Sequence, residues 1–421
     1  MAFIPFRVQQ AKEALRDLSL SPDVARKCFD ELSAEELRYF ELGLINANFR
    51  TVLPNTVHRH SVTAIAEECT RRYLWGGWEY YSFFARLSDQ CNANTSEPPL
   101  QQLQYHPLTK CDDLSVIDKL IEHGSGVLIC SFHFGHFRFL PTALALRGFN
   151  TVCALDSSTY ESTNGLIEAA KSCIAALPAC KDTYANLRNI HFIDVRDPTT
   201  TLRLARALHR GAVVVLFVDG NRGTDSTRGV QARETIKFFD RNVFVKNGAA
   251  RIAASAKAPL LAVAACRGEH EDRPAVGSPI FVEDNPSSIT CALQEIYAFF
   301  ERQILLSPEN WEGVRLLHQW QPLSESNERQ AIVPDGIRVR FAGGRIELRQ
   351  TDNRIVWMDL ALRTAYSPPI ASDQAAALFC ALSNPVGTDI SAATAGLAHD
   401  VRNKVLLMLG HMLCDGAICV V

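Results

Sequence analysis

The run Ala212-Val-Val-Val-Leu-Phe-Val218, followed by the turn Asp219-Gly-Asn-Arg-Gly223, is the clearest strand signal in the chain. Such an unbroken apolar run before a glycine-rich turn is typical of a strand that is buried on both faces. Four further runs of strand length occupy residues 126–132, 151–155, 190–195 and 260–265, and helical spacing of apolar residues lies among them at 115–122, 166–176, 202–209 and 244–255. This alternation predicts an α/β fold with a mostly parallel central sheet flanked by helices, and it predicts functional sites beyond the carboxyl ends of the strands.

Segments of different character flank this α/β domain, which we assign to residues 111–321. Residues 1–110 place apolar side chains at three- and four-residue spacing and predict a helical segment that packs on the core, with a capping box from Ser33 to Glu36. The polar residues 322–334 are interpreted as a linker. Residues 335–421 predict a small α+β module that is compatible with a winged helix, whose groove or edge strand could bind a peptide. A simple cap on the α/β domain is the alternative role.

The composition excludes several classes of protein. The chain of 421 residues has 43 Lys and Arg against 46 Asp and Glu, which gives no basic surface for nucleic-acid binding. Its 13 Cys are scattered without a Cys-x-x-Cys pair, which argues against a disulfide framework and a zinc site and favours a cytoplasmic location. We expect no cofactor, no metal, no signal peptide and no transmembrane segment, although peripheral contact with a membrane stays compatible with the sequence.

Two histidines follow the strand at 126–132, in the segment His133-Phe-Gly-His-Phe-Arg138. A histidine directly after a buried strand is well placed to act as a general base toward a hydroxyl or an amine, and Gly135 would permit close approach of backbone or substrate. A hydrogen-bonded structural histidine is the alternative. A metal site formed by His133 and His136 would lack an evident third ligand nearby.

Polar residues also follow two other predicted strands. Arg196 ends the segment Phe192-Ile-Asp-Val-Arg196 and could hold an anionic group, although a surface pair with Asp197 is an equally plain interpretation. Asp219, Asn221 and Arg222 lie on the glycine-rich turn, which would expose backbone N–H groups and a cation to a phosphate or a developing oxyanion. An ordinary tight turn is the alternative there.

Aromatic residues mark two candidate apolar surfaces. Phe238 and Phe239 are candidate walls of a binding pocket, with plain packing as the alternative. The aromatic stretch at residues 73–84 is interpreted first as a buried helix face, and second as an interface or a surface for an apolar chain.

The ordered set of motifs resembles the lysophospholipid acyltransferase-like superfamily, and within it the bacterial late lipid A acyltransferase branch. The segments that resemble its motifs are, in order, 133–138, 192–196, 217–222 and the apolar strand with a proline at 258–263. Residues 45–54 are similar to the family's segment ahead of the core, and Leu306-Ser-Pro-Glu-Asn-Trp311 is similar to its closing Pro-Glu-Gln-Trp. The resemblance covers residues 35–320.

This resemblance implies a function. His133 would be the base that deprotonates a hydroxyl or an amine as it attacks an acyl thioester, and an acid would orient the imidazole. Acyl-carrier protein or acyl-CoA would supply the acyl group, while Arg196 and Arg222 would contact anionic groups. Phe238 and Phe239 would then line an acyl pocket. In physical terms this is general-base catalysis with fixed donors for the oxyanion.

One departure from the family pattern opens alternatives, since the family places its acid where this chain has Arg138. In the first, another carboxylate, either Asp219 or Asp156, replaces that acid. In the second, an amine acceptor needs less help from His133; in the third, catalysis is lost and the protein binds an acyl, carrier-protein or peptide partner. A different reaction is the fourth. Arg138 itself would contact a phosphate or carboxylate, and without a membrane helix we expect a soluble or carrier-tethered acceptor.

Overall fold

A computed structural model of the chain describes residues 6–37, 40, 42–53, 59–93, 114–122, 124–176, 185–220, 233–267, 273–319, 338–341, 346–351, 354–359, 364–384, 386–414 and 417–420. The chain divides into two compact units. The first contains Met1–Leu37 and Glu68–Trp320, and the second contains Arg38–Glu67 and Gln321–Val421. The predicted linker at 322–334 lies outside the described residues.

The strands and helices follow in chain order. The strands are β1 (Val127–Ser131), β2 (Thr151–Leu155), β3 (Ile190–Asp194), β4 (Val213–Phe217), β5 (Arg233–Phe238), β6 (Arg241–Lys246), β7 (Leu260–Cys266), β8 (Arg273–Val276), β9 (Arg338–Phe341), β10 (Ile346–Thr351), β11 (Arg354–Asp359), β12 (Thr364–Tyr366), β13 (Thr388–Asp389) and β14 (Ile418–Val420). The α-helices are α1 (Phe6–Ala14), α2 (Pro22–Asp30), α3 (Ala34–Leu37), α4 (Leu42–Val52), α5 (Arg59–Ala93), α6 (Ser115–Glu122), α7 (Leu140–Leu146), α8 (Ser157–Ala176), α9 (Thr200–His209), α10 (Gly248–Ala256), α11 (Pro286–Leu306), α12 (Ser372–Leu382), α13 (Ile390–Thr394) and α14 (His399–Cys414).

The first unit is built on a six-stranded sheet with the strand order β3-β2-β4-β1-β7-β8. The strands β3, β2, β4, β1 and β7 pair in parallel, and β8 pairs antiparallel with β7 at the edge. Every residue of β1 is buried, as expected for a strand covered on both faces. The predicted α/β fold with a mostly parallel central sheet is therefore confirmed.

Local sequence signals place most elements of this unit correctly. The predicted strands agree with the observed ones to within one residue at each end, and the capping box is present because Ser33 and Glu36 exchange backbone and side-chain hydrogen bonds. The helix predicted at 166–176 begins earlier, at Ser157. Its first half is mostly polar, so apolar residues do not recur there at helical spacing. Residues 33–48, where helical spacing of apolar residues predicts one helix, contain two separate helices, α3 and α4.

The prediction of a helix at 244–255 was wrong at its start. Residues 244–246 belong to β6, which pairs antiparallel with β5, and α10 begins only at Gly248. Phe239 and Asp240 form the two-residue turn of this hairpin with φ of 49° and 59°. Such a turn is usually recognised by the dipeptide Asn-Gly or Asp-Gly. The turn here is Phe239-Asp240, so the sequence did not predict the hairpin.

The second unit contains two small antiparallel sheets, with strand orders β10-β11-β12 and β13-β9-β14. Their core includes Val339, Trp357, Leu378, Leu409 and Ile418, which come from strands and from the helices α12 and α14. The short strands β12 and β13 were not predicted, since three or two residues are too few to show a period. In the part of the chain that the structure describes, no helix is both long and apolar enough to cross a membrane.

Candidate functional site

The carboxyl ends of four parallel strands place the predicted polar residues at one edge of the sheet. His133 follows β1, Asp219 follows β4, Asp156 follows β2, and Arg196 follows β3. The strands β1 and β4 are neighbours and run in parallel with Ser131 opposite Phe217. The residues that follow these two strands therefore lie side by side, although they are far apart in the chain.

His133 and Asp219 form a hydrogen-bonded pair at this edge. The distance from His133 Nδ1 to Asp219 Oδ1 is 2.6 Å. The carboxylate also accepts the backbone N–H of His133, at 3.1 Å to Oδ1 and 2.9 Å to Oδ2, and the indole N–H of Trp311 at 3.3 Å to Oδ2. Asp219 is completely buried, and these donors compensate the burial of its charge. When Nδ1 donates to the carboxylate, Nε2 of His133 holds the lone pair that a base requires.

Packing fixes the imidazole from several sides. The ring of His133 contacts the rings of Phe137 and Phe217, with centroid distances of 4.8 Å and 5.2 Å. The backbone N–H groups of Glu312 and Gly313 donate to the carbonyl oxygen of His133 at 2.8 Å and 3.2 Å. A Cβ at Gly313 would overlap the paired carboxylate, so this position requires glycine. The pair is therefore held in one geometry by its surroundings.

A cavity of about 460 Å³ lies against His133, whose side chain is 27% exposed. This volume falls in the range of 300–1,000 Å³ that is usual for small-ligand sites. Most lining residues come from α5 and from the ends of four strands, and the others come from the segments after α1 and α11 and from residues 137–141 and α8. The full set is Leu15, Tyr73, Leu74, Gly77, Trp78, Tyr80, Tyr81, His133, Phe137, Arg138, Pro141, Cys153, Ala154, Leu155, Asp156, Thr159, Thr163, Phe192, Val195, Phe217, Gly220, Arg315 and Leu316.

One face of α5 forms an aromatic wall of this cavity. Tyr73, Gly77, Tyr80 and Tyr81 follow the helical spacing that places residues on one side. Trp78 and Tyr80 are buried, while Tyr73 and Tyr81 are half-buried. The aromatic stretch is thus a buried helix face, as interpreted first, and part of it also borders a cavity large enough for a ligand.

Arg138, which occupies the place of the family's acid, lies on the cavity wall and pairs with a distant carboxylate. Its Nη1 and Nη2 approach Oε1 and Oε2 of Glu312 at 2.9 Å and 2.8 Å, and its guanidinium lies 4.3 Å from the ring centroid of Phe137. Burial opposes the charged form of Arg138, but the adjacent Glu312 raises its pKa overall. Sequence reasoning missed Glu312, because nothing in a local pattern links it to Arg138.

Asp156, the second carboxylate that the sequence left open, has other partners. It accepts hydrogen bonds from the hydroxyl groups of Ser158 and Thr159, each at 2.6 Å, at the start of α8. Burial acts to raise the pKa of Asp156, but these hydrogen bonds lower it overall. Asp156 borders the cavity, whereas Asp219 is the carboxylate that contacts His133.

Arg196 and its neighbour lie away from the cavity wall. Arg196 is exposed, and its backbone N–H donates to Asp194 at 2.9 Å. The carboxylate of Asp197, which the plain interpretation paired with Arg196, forms an ion pair with Arg203 at 3.1 Å. Asn221 and Arg222 lie outside the described residues, while Gly220, just before them, borders the cavity.

His136 and Gly135 have structural contacts in place of contacts with the cavity. His136 is buried and accepts a hydrogen bond from Arg267 Nε at 3.0 Å. Gly135 has a φ of 59°, and the carbonyl oxygen of Ala265 occupies the space that a Cβ would need. Gly135 therefore permits the close approach of the backbone of β7, and the structure does not place it against the cavity.

Phe238 and Phe239 are not on the cavity wall. Both are buried, and their ring centroids lie 5.7 Å and 6.4 Å from that of Trp311. They pack behind the indole that donates to Asp219, which matches the packing alternative. Trp311 ends the segment 306–311 that resembles the family's closing motif, but the sequence pattern predicts no role for its indole.

Other reactive groups at the cavity are held neutral. Burial raises the pKa of the Cys153 thiol and of the Tyr80 hydroxyl, so both keep their protons at neutral pH. Within the described ranges, no group of three or more His, Cys, Asp or Glu side chains is arranged to hold a metal ion. The groups of this site that can take part in proton transfer are therefore the imidazole of His133 and the carboxylate of Asp219.

No protein-family model matches this sequence, and no curated protein does so either.

Proposed function

We propose that the protein transfers an acyl group from a thioester donor, an acyl-carrier protein or acyl-CoA, to a hydroxyl or an amine of a soluble or carrier-tethered acceptor in the cytoplasm. The main support is the hydrogen bond of 2.6 Å between His133 and the buried Asp219, at the edge of a partly aromatic cavity. The ordered motifs that resemble the lysophospholipid acyltransferase-like superfamily support the same reaction. Asp219 then replaces the acid that the family has at the position of Arg138.

In the proposed reaction, Nε2 of His133 takes the proton of the acceptor O–H or N–H as that atom attacks the thioester carbonyl. A C–O or C–N bond forms, the C–S bond breaks, and the imidazolium returns the proton to the leaving thiolate. Asp219 holds the imidazole through Nδ1 and stabilises the imidazolium that forms in between. Acyl transfer of this kind needs no other co-reactant.

Direct transfer to the acceptor is favoured over a covalent acyl-enzyme on the cavity thiol. Burial raises the pKa of Cys153, and a thiol that stays protonated at neutral pH is a weak nucleophile. Arg138 borders the cavity together with Arg315, and contact with an anionic group of donor or acceptor is the role we propose for Arg138. Substrate contacts by Arg196 and Arg222 stay predictions.

The decisive experiment incubates the protein with a panel of acyl-CoA and acyl-carrier-protein donors, with amine and hydroxyl acceptors, and measures products by mass spectrometry. His133→Ala should lower the rate by on the order of 10²–10⁴, the usual contribution of a general base. His209→Ala removes an exposed histidine at the end of α9 and is the matched control.

Two results would contradict the proposal. Equal rates for the wild-type protein and His133→Ala would remove the histidine from the mechanism. Tight binding of a donor without any turnover by the wild-type protein would instead identify a binding protein that retains the cavity but not the catalysis.

A further inference from the structure

The helix α5 has two adjacent glycines, Gly76 and Gly77, at its middle, between Trp75 and Trp78. Glycine inside a helix is less favourable than alanine, because it loses more backbone freedom on folding. Each of the two positions therefore needs a compensating reason, and the structure provides a different one for each.

Gly76 is explained by packing. A Cβ at this position would lie 3.1 Å from Nη1 of Arg138 and 3.3 Å from Oε1 of Glu312. These distances are shorter than ordinary van der Waals contacts, so a side chain here would press on the buried ion pair. Glycine at position 76 therefore leaves room for the ion pair between Arg138 and Glu312.

Gly77 has no such neighbour. Among the residues that the structure describes, no heavy atom lies within 4 Å of the position that its Cβ would occupy, and Gly77 borders the cavity next to His133. The space left by the missing side chain is therefore cavity space. In contrast to Gly76, the described neighbours do not explain why glycine occupies this position.

The wall around Gly77 is suited to a hydrocarbon chain. Tyr73 and Tyr81 lie four residues before and after it on the same helix face, and Leu74 also borders the cavity. Burial keeps Tyr80 and Cys153 uncharged.

The charged groups on this wall are held by protein partners. Arg138 pairs with Glu312, and Asp156 accepts hydrogen bonds from the start of α8. The guanidinium of Arg315 lies 4.0 Å from the ring centroid of Tyr73.

We propose that Gly77 determines substrate specificity, because the gap over it holds part of the donor's acyl chain and limits the longest chain that the cavity accepts. This inference rests on the proposed acyl transfer. A Cβ at position 77 would meet none of the described atoms within 4 Å, so we expect a substitution there to reduce the room for the ligand and to leave the fold intact.

The experiment compares Gly77→Ala and Gly77→Leu with Gly165→Ala and Gly165→Leu. Gly165 is an exposed glycine inside the helix α8, its Cβ would also meet none of the described atoms within 4 Å, and it is not among the residues that line the cavity. Binding of acyl-CoA with saturated chains from butanoyl to palmitoyl is measured by calorimetry, and turnover of the same donors is measured in parallel.

Gly77→Leu should weaken binding of the longest chains that the wild-type protein accepts by about tenfold or more, the scale expected for a few displaced methylene groups, with the shortest chains unaffected. Gly77→Ala should give a smaller shift in the same direction, and both Gly165 variants should keep the wild-type profile.

An unchanged chain-length profile in Gly77→Leu, or an equal loss for all chain lengths, would overturn the inference. The binding profile tests Gly77 even if no donor is turned over, whereas turnover by the wild-type protein tests the proposed function. The two failures are therefore distinguishable.

Discussion

The substitution Asp219→Asn is the sharpest test of the site, because it keeps the shape of the side chain and changes one acceptor into a donor. In the wild-type protein, Oδ1 accepts Nδ1–H of His133 at 2.6 Å, and Oδ2 accepts the indole N–H of Trp311 at 3.3 Å. The backbone N–H of His133 donates to both oxygens. In either orientation, the NH₂ group of asparagine faces at least one of these donors.

The expected cost to folding is moderate. Leaving one buried donor without an acceptor costs about 1–3 kcal/mol. In one orientation of the asparagine amide, the indole N–H of Trp311 loses its acceptor, and because this hydrogen bond is long, the cost in that orientation lies at the low end of the range. The other orientation turns the amide NH₂ toward His133 Nδ1 and forces the proton to Nε2, which removes the base. Typical domains have about 5–15 kcal/mol of stability, so the variant should remain folded.

The expected cost to catalysis is larger. Loss of the carboxylate in a comparable acid–histidine arrangement lowers the rate by about 10⁴, which corresponds to about 5 kcal/mol of transition-state stabilisation. We therefore expect the turnover of the best thioester donor to fall by about 10⁴, with a decrease in free energy of unfolding of only about 1–3 kcal/mol.

The assay measures thioester consumption and chemical denaturation in parallel for Asp219→Asn and a control. Asp389→Asn is the matched control, since this carboxylate precedes α13, accepts the backbone N–H groups of Ser391 and Ala392 at 2.9 Å and 3.2 Å, and belongs to the second unit. Its rate should stay within about threefold of the wild type, as is usual for substitutions away from a site. A rate for Asp219→Asn within tenfold of the wild type would refute the assignment of Asp219 as the partner of His133.

Three further predictions concern other residues of the first unit. Trp311→Phe removes the indole donor to Asp219 but keeps an aromatic ring, and steady-state kinetics should show a rate about tenfold lower, the equivalent of one weak hydrogen bond to a charge; an unchanged rate would exclude a positioning role. Glu312→Gln leaves Arg138 buried without a carboxylate and should lower the free energy of unfolding by about 3–5 kcal/mol, whereas a loss below 1 kcal/mol would contradict the importance of the pair. Burial, with repulsion from Arg233, lowers the pKa of Lys246 from 10.5 to about 8, so the unfolded chain binds more protons between these values and stability rises with pH across them. Lys246→Met should accordingly raise the melting temperature more at neutral pH than above pH 10.5, and an equal shift at both would contradict the pKa change.

The sequence alone determined the elements that local patterns encode. The apolar runs that became β1, β2, β3, β4 and β7 were recognisable because a strand buried on both faces needs an apolar residue at every position. The helix α6 was predicted with its observed bounds, since its apolar stripe follows the helical period. His133 and Asp219 were both identified as candidates because each directly follows such a strand.

Only the tertiary structure decided which of these candidates meet. His133 and Asp219 are 86 positions apart, and their contact depends on β4 lying beside β1, an order that strand patterns do not specify. The pairing of Arg138 with Glu312 and the open space over Gly77 likewise depend on segments distant in the chain. Burial and backbone preference act over a few neighbouring residues and are visible in the sequence, whereas hydrogen bonds, ion pairs and cavities depend on distances in space, which the packing of whole elements sets.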